Sequence, residues 1–244
     1  MFLWPLFRIA SFFMVAPVSG AQFVPARVRL GISLLITVAV IPLLPQLPQL
    51  DPLSPLSILL IGQQVLIGVA IGFTMQLFFH VFVMGGQMMA MQMALGMASL
   101  VDPANGVSVT VVAQFFLMLV TVVFVATNGH LLMIEVLIES FKFMPVGFTG
   151  MSESGFIYMV QIGSWMFLSG FLLALPAVTA LLVVNIAFGV MTRAAPQLNI
   201  FSLGFPVSMV FGLFIIWLSL LDFLPKYDGV ATQAFALLRG LLQA

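Results

Sequence analysis

The residues of this sequence that can do acid–base or ligand chemistry are few, and their spacing is poor for it. His130, Glu135, Glu139 and Lys142 recur every three to five positions. On a helix, five positions separate His130 from Glu135 by about 140° around the axis, too far to share a metal ion. No HExxH, CxxC, GxSxG or phosphate-cradling pattern occurs in the chain. Charges alternating with apolar residues read instead as an amphipathic face at a surface, with Asn128 as its capping residue. An intramembrane enzyme would need His130 or a glutamate for turnover, which this spacing does not favour. His80 stands alone in an apolar tract and reads as an interhelical hydrogen-bond partner. The chain has no cysteine, which excludes disulfides and thiolate metal sites.

Two other groups of residues carry functional signal. Gln63, Gln64, Gln76, Gln87, Gln92 and Gln114 are the polar residues of the long apolar tracts. Glutamines can bond across helices or line a wet channel, but they cannot relay protons, which counts against an ion-coupled transporter. Broken helices and internal prolines keep a polytopic small-molecule transporter or channel as the alternative. The second group is Met84, Met88, Met89, Met91, Met93 and Met97. Such a cluster can be core packing, or it can be a soft seal, since an unbranched, polarisable side chain closes around objects of different shape. A ring of such side chains dewets a closed pore and yields to a passing chain. The turn Asp102-Pro103-Ala104-Asn105-Gly106 follows it, with Pro103 stiffening the entry and Gly106 permitting positive φ. Beside the methionines it reads as a movable plug, anchored at both ends by apolar helices.

The elements that position these groups are set by charge poverty. Of 244 residues, 63% are hydrophobic and 6% charged: seven Lys plus Arg against seven Asp plus Glu. A soluble domain of this length would carry roughly 60 charges. A free cytosolic enzyme is excluded, and so is a basic nucleic-acid binder. Stretches 30–50, 52–101, 103–134, 154–192 and 194–221 contain no Asp, Glu, Lys or Arg. They allow roughly six helices at membrane depth and do not alternate as a β-barrel would. The apolar residues around Arg8 imitate a signal peptide only loosely, because the segment before it is not polar.

The expected organisation is all-α, with long kinked apolar helices and helical hairpins. Arg8 sits in an apolar helix and must snorkel to the head groups or pair inside an assembly. Prolines 42, 45, 48, 52 and 55 end a second helix. Residues 56–100 are too long for one span, and Gly85-Gly86 is the expected break. Residues 156–191 are too long as well, with Pro176 as a kink or turn. Residues 199–221 form the last apolar helix, distorted by Gly204 and Pro206, and 227–244 a weakly amphipathic tail. Gly68 and Gly72, four apart, form a small-residue stripe for close helix contact, and Gly163 and Gly170 a second pair; both are expected at subunit interfaces.

Several blocks together carry a family resemblance: FLWPLFR at 2–8, RVRLG at 27–31, GQQVLIGVAIG at 62–72, MQMALG at 91–96 with VDP at 101–103, NGH at 128–130 and PVG at 145–147, RAAPQLNIF at 193–201, and GFP at 204–206. In this order, across nearly the whole chain, they resemble the FliR family of flagellar type III secretion export-gate components. The resemblance implies a non-enzymatic membrane subunit without cofactor or metal. It would join FliP and FliQ in a core export complex, with FlhB and FlhA as further partners and unfolded flagellar subunits as cargo. It implies a FliP-like part over residues 1–150 and a FliQ-like helical hairpin with a tail over 151–244. It implies a cell-membrane location in the flagellar basal body, with helices largely above the bilayer plane. The family's plug segment corresponds to residues 93–109, here including Met93, Gly96, Met97, Leu100, Val101, Asp102, Pro103, Ala104, Asn105, Gly106 and Val107. Arg193, Pro196 and Gln197 join the four glycines as expected subunit-packing residues.

Overall fold

The computed structural model describes residues 2–20, 24–44, 48, 54–96, 98–101, 108–147, 150–194 and 200–244. Eight α-helices account for nearly all of them: α1 (Leu3–Val15), α2 (Ala26–Val40, continued by a 3-10 turn at Ile41–Leu43), α3 (Pro55–Gln92), α4 (Val111–Ala126), α5 (Gly129–Phe143), α6 (Glu153–Ala194), α7 (Ile200–Leu221) and α8 (Phe223–Gln243). Between α3 and α4 lies a short antiparallel ribbon, β1 (Ser99–Val101) with β2 (Ser108–Thr110). The helical class is as the sequence implies. Among the described residues, four helices are long and apolar enough to cross a membrane, or five spans if the bent pair α4–α5 counts as one.

Helix α3 is the spine. Ser54 caps it, its hydroxyl accepting from the Ser57 amide at 3.2 Å, and Pro55 occupies the first turn, where a missing N–H costs nothing. Its 38 residues then run without interruption for about 57 Å. The expected break at Gly85-Gly86 does not occur. Those glycines are instead two closest-approach points on adjacent sides of one helix. A Cβ on Gly85 would lie 2.7 Å from Leu173 of α6, and one on Gly86 2.7 Å from the Ala113 backbone of α4. Interior glycine costs a helix roughly 1 kcal/mol, which tight packing on both sides offsets. Helix α6 is also continuous for 42 residues, through Pro176, where a kink or turn was expected.

The Gly68/Gly72 stripe acts within the chain. A Cβ on Gly68 would collide with the Ser11 hydroxyl and the Arg8 carbonyl, and one on Gly72 would lie 3.1 Å from the Phe12 carbonyl and the Ala16 amide. The stripe is therefore where α1 lies down on α3. Gly170 docks α6 on α3 in the same way, 3.1 Å from the Val81 carbonyl, whereas nothing lies within 4 Å of a Cβ on Gly163.

Arg8 is wholly buried and neither snorkels nor waits for another subunit. Its Nε donates to Gln64 Oε1 at 2.8 Å, Nη1 to the Ser140 carbonyl at 3.0 Å and hydroxyl at 3.2 Å, and Nη2 to the Met144 carbonyl at 2.8 Å. The guanidinium carbon lies 4.2 Å from the centre of the Phe141 ring. Ser140 and Met144 belong to the C-terminal end of α5, where the macrodipole is negative, and the Ser140 carbonyl also accepts from the Met144 amide at 2.9 Å. A cation with no carboxylate partner among the described residues is thus held at a helix end, and α1, α3 and α5 are tied at one point.

Helices α4 and α5 meet at 72°. Asn128 makes the bend in the left-handed region (φ 58°) and offers no side-chain cap, contrary to expectation; its carbonyl accepts from Leu131 at 2.9 Å. The expected weak tail is a docked amphipathic helix. Phe223 and Tyr227 of α8 pack edge-on or tilted among Phe78, Phe82 and Phe116 at 5.7 to 6.3 Å. Tyr227 shares a 3.1 Å hydrogen bond with Thr127, and burial raises its phenol above the ordinary pKa. On the outer side Arg239 pairs with Glu139 at 3.2 Å and Glu135 at 4.0 Å.

Two substitutions test this framework. Arg8→Met leaves the buried Gln64 oxygen without a donor, a penalty of about 1–3 kcal/mol for that atom alone. Gly68→Ala forces α1 off α3, at about 1–3 kcal/mol for overpacking. Both should lower the thermal unfolding midpoint of the chain in detergent; an unchanged midpoint would count against the corresponding contact.

Candidate functional site at the methionine-rich end of α3

Helix α3 ends in a bend that launches the ribbon. The Leu95 amide donates to the Ala90 carbonyl at 2.9 Å and the Ala94 amide to the Met91 carbonyl at 3.1 Å. This crossed pair is a Schellman motif, which places one residue in the left-handed region. That residue is Ala94, at φ 59°, where glycine is usual. The chain then enters β1, which pairs with β2 in the register Ser99↔Thr110, Leu100↔Val109, Val101↔Ser108. Thr110 ends the ribbon and starts α4, its hydroxyl accepting from the Ala113 amide at 3.3 Å, while the Val111 amide donates to the Ala98 carbonyl at 3.1 Å.

Paired strands, not helices, therefore flank residues 102–107 on both sides, which corrects the expectation that apolar helices anchor them directly. The ribbon saturates backbone groups across the stem and fixes the spacing of its two strands. Among the expected plug residues, Met93 and Gly96 lie at the end of α3 and just past it, and Leu100 and Val101 lie in β1. Met97 and Asp102, Pro103, Ala104, Asn105, Gly106 and Val107 fall outside the described residues. So do Pro196 and Gln197, while Arg193 is exposed at the end of α6.

The methionines divide by position. Met89 and Met93 are fully buried, Met84 and Met88 are half-buried against the core, and Met91 is 64% exposed. Packing therefore accounts for much of the cluster, and Met91 is the described member that projects outward. Met93 fills the space over Gly212 of α7, where a Cβ would lie 2.7 Å from its sulfur. Beside it the Asn185 side-chain amide of α6 donates to the Gln92 carbonyl at 3.4 Å, and the Ser208 hydroxyl of α7 donates to Asn185 Oδ1 at 3.0 Å. Gln114, on the first turn of α4, has a buried side-chain oxygen with no partner among the described residues.

The other candidate groups do not converge. His80 bonds the Gln76 carbonyl of its own helix at 2.9 Å rather than another helix. Glu135 and Glu139 face Arg239, not His130, whose Nδ1 is buried without a partner among the described residues. Among those residues no three His, Asp or Glu side chains are placed to hold a metal ion. Sequence reading missed Ala94, Asn185, Ser208 and Gly212. The visible glycine, Gly96, lies two residues past the left-handed position, and nothing in an apolar tract marks which small or polar residue meets a distant helix.

The sequence matches the family described as bacterial export proteins, family 1, over residues 1–234. It is 36% identical over 242 residues to the flagellar biosynthetic protein FliR of Escherichia coli strain K12, covering 99% of this chain and 92% of that protein. The same identity and coverage hold for FliR of Pectobacterium carotovorum. FliR of Bacillus subtilis is 26% identical over 211 residues, covering 85% of this chain and 81% of its own.

Ala94→Gly should stabilise the end of α3, because glycine removes a left-handed Cβ penalty of about 1–2 kcal/mol. The expected readout is a higher thermal midpoint in detergent; a lower one would show that the bend does not strain Ala94.

Proposed function

The chain belongs to the bacterial export proteins of family 1, and we propose that it is a structural subunit of the flagellar type III secretion export gate. In this reading it assembles with FliP and FliQ around a pore for unfolded flagellar subunits, with FlhB and FlhA as neighbours, in the bacterial inner membrane at the flagellar basal body. Residues 1–150 are its FliP-like part and 151–244 its FliQ-like hairpin and tail. The return of α7 onto α6, where Ser208 meets Asn185, supports the hairpin assignment.

The observation that carries the gate reading is the ribbon springing from the methionine-rich end of α3. A stem of three paired residues on each side flanks residues 102–107 in sequence, and Met91 is exposed on the helix that leads into it. A loop on a paired stem can move as a unit without unravelling the helices that carry it. Methionines at its base supply an apolar, deformable constriction. The outer helices support an assembled state. The apolar windows of α2, α6 and α7 are each 17% buried within the chain, against 44% for α3. Apolar faces of that extent require lipid or other subunits.

Two measurements test this function. Co-expression with FliP and FliQ should yield one complex that survives purification, and recovery of this chain alone would contradict subunit status. Deleting residues 102–107 in that complex should raise its ion conductance in planar bilayers. Conductance equal to the intact complex would remove the plug assignment.

A further inference from the structure

We propose that the α6–α7 pair latches the ribbon in its seated position, with Asn185 as the positioning residue; the role rests on the gate reading above. The end of α3 exposes carbonyls that have no partner within the helix. Those of Met89, Ala90 and Met91 accept from the amides of Met93, Leu95 and Ala94. The Gln92 carbonyl is outside that set and accepts from Asn185 of α6. Asn185 uses both ends of its amide: the nitrogen holds α3, and the oxygen is held by Ser208 of α7. The next residue, Met93, is fully buried and seated on Gly212 of α7. The residue after that, Ala94, makes the left-handed bend from which the ribbon departs.

Three consecutive residues at the root of the ribbon are thus a carbonyl gripped by α6, a side chain gripped by α7, and a strained bend. The grip is of two kinds. The Asn185 bond is long, at 3.4 Å, and lies at an exposed position, so it can be exchanged for water. The Met93 seat is a shape fit, and an unbranched methionine can leave and re-enter it without a rotamer clash. A shift of α6–α7 against α3 therefore acts on the root of the ribbon before it disturbs the core around Phe78 and Phe82. The glycine at 212 is what admits Met93, since any Cβ there would collide with it.

The test uses the assembled complex, with the 102–107 deletion as reference. Asn185→Ala and Asn185→Asp both remove the donor to Gln92, and Asp keeps the acceptor for Ser208. Both should raise resting conductance toward that of the deletion, with undiminished recovery of partner subunits. Wild-type conductance in both variants, alongside a leaking deletion, overturns the latch and leaves the gate reading standing. A deletion that does not leak overturns both. Because the chain has no cysteine, the double substitution Met93→Cys, Gly212→Cys gives a second readout that survives a folding defect in the Asn185 variants. Oxidation should abolish most substrate export and reduction should restore it. Wild-type export by the cross-linked form overturns the proposal.

Discussion

The structure depends on how one cation is kept away from water. Taking a guanidinium out of solvent costs several kcal/mol even after relaxation, and the usual remedy is a carboxylate. Arg8 has none. Its hydrogen bonds go to Gln64, to the Ser140 hydroxyl and to the carbonyls of Ser140 and Met144, with the Phe141 ring beside it. Such a set can exist only where α1, α3 and the C-terminal end of α5 meet. That requirement brings a segment 132 positions away in sequence onto the first helix. It also places the first helix where Ser11 and the Arg8 carbonyl lie directly over Gly68. The bend at Asn128 turns α5 away from α4, and the C-terminal end of α5 lies at Arg8.

From that junction the chain is organised by what α3 lacks. Gly68 and Gly72 admit α1, Gly85 admits α6 and Gly86 admits α4, each at a spacing that a Cβ would crowd. Between apolar helices in lipid there is little hydrophobic gain from contact, so close packing and a few hydrogen bonds carry association. The small residues of α3 are accordingly arranged around one helix rather than at a break in it. The result is an interior built on α3 with α6 and α7 left apolar on their outer sides. Such a chain is suited to a place among other subunits and lipid.

The methionine-rich end of α3 shows the same economy of packing. Met89 and Met93 are packed as core residues, Met91 is outside, and the ribbon between α3 and α4 supplies a stem that neither helix could. Strain at Ala94 is stored where the chain leaves the helix, a common situation for residues that switch between two arrangements. The partners that hold this end come from α6 and α7, more than 90 positions later.

Charge-free tracts of this length, interrupted by prolines and glycines, were enough to determine an all-helical, membrane-type chain, because backbone groups in an apolar setting must be bonded within their own segment. The blocks from residue 2 to residue 206 were enough to identify the family. The methionine cluster marked the end of α3 that leads into the ribbon. What pairwise geometry controls was not legible. Gly85-Gly86 looks like a break and is a double contact; Asn128 looks like a cap and is a bend; Arg8 looks stranded and is fully bonded. Periodicity and composition record how often a residue type recurs along one helix. They carry no record of which side another helix approaches from, and that approach alone decides whether a glycine is a hinge or a contact and whether a buried arginine is a liability or a clamp.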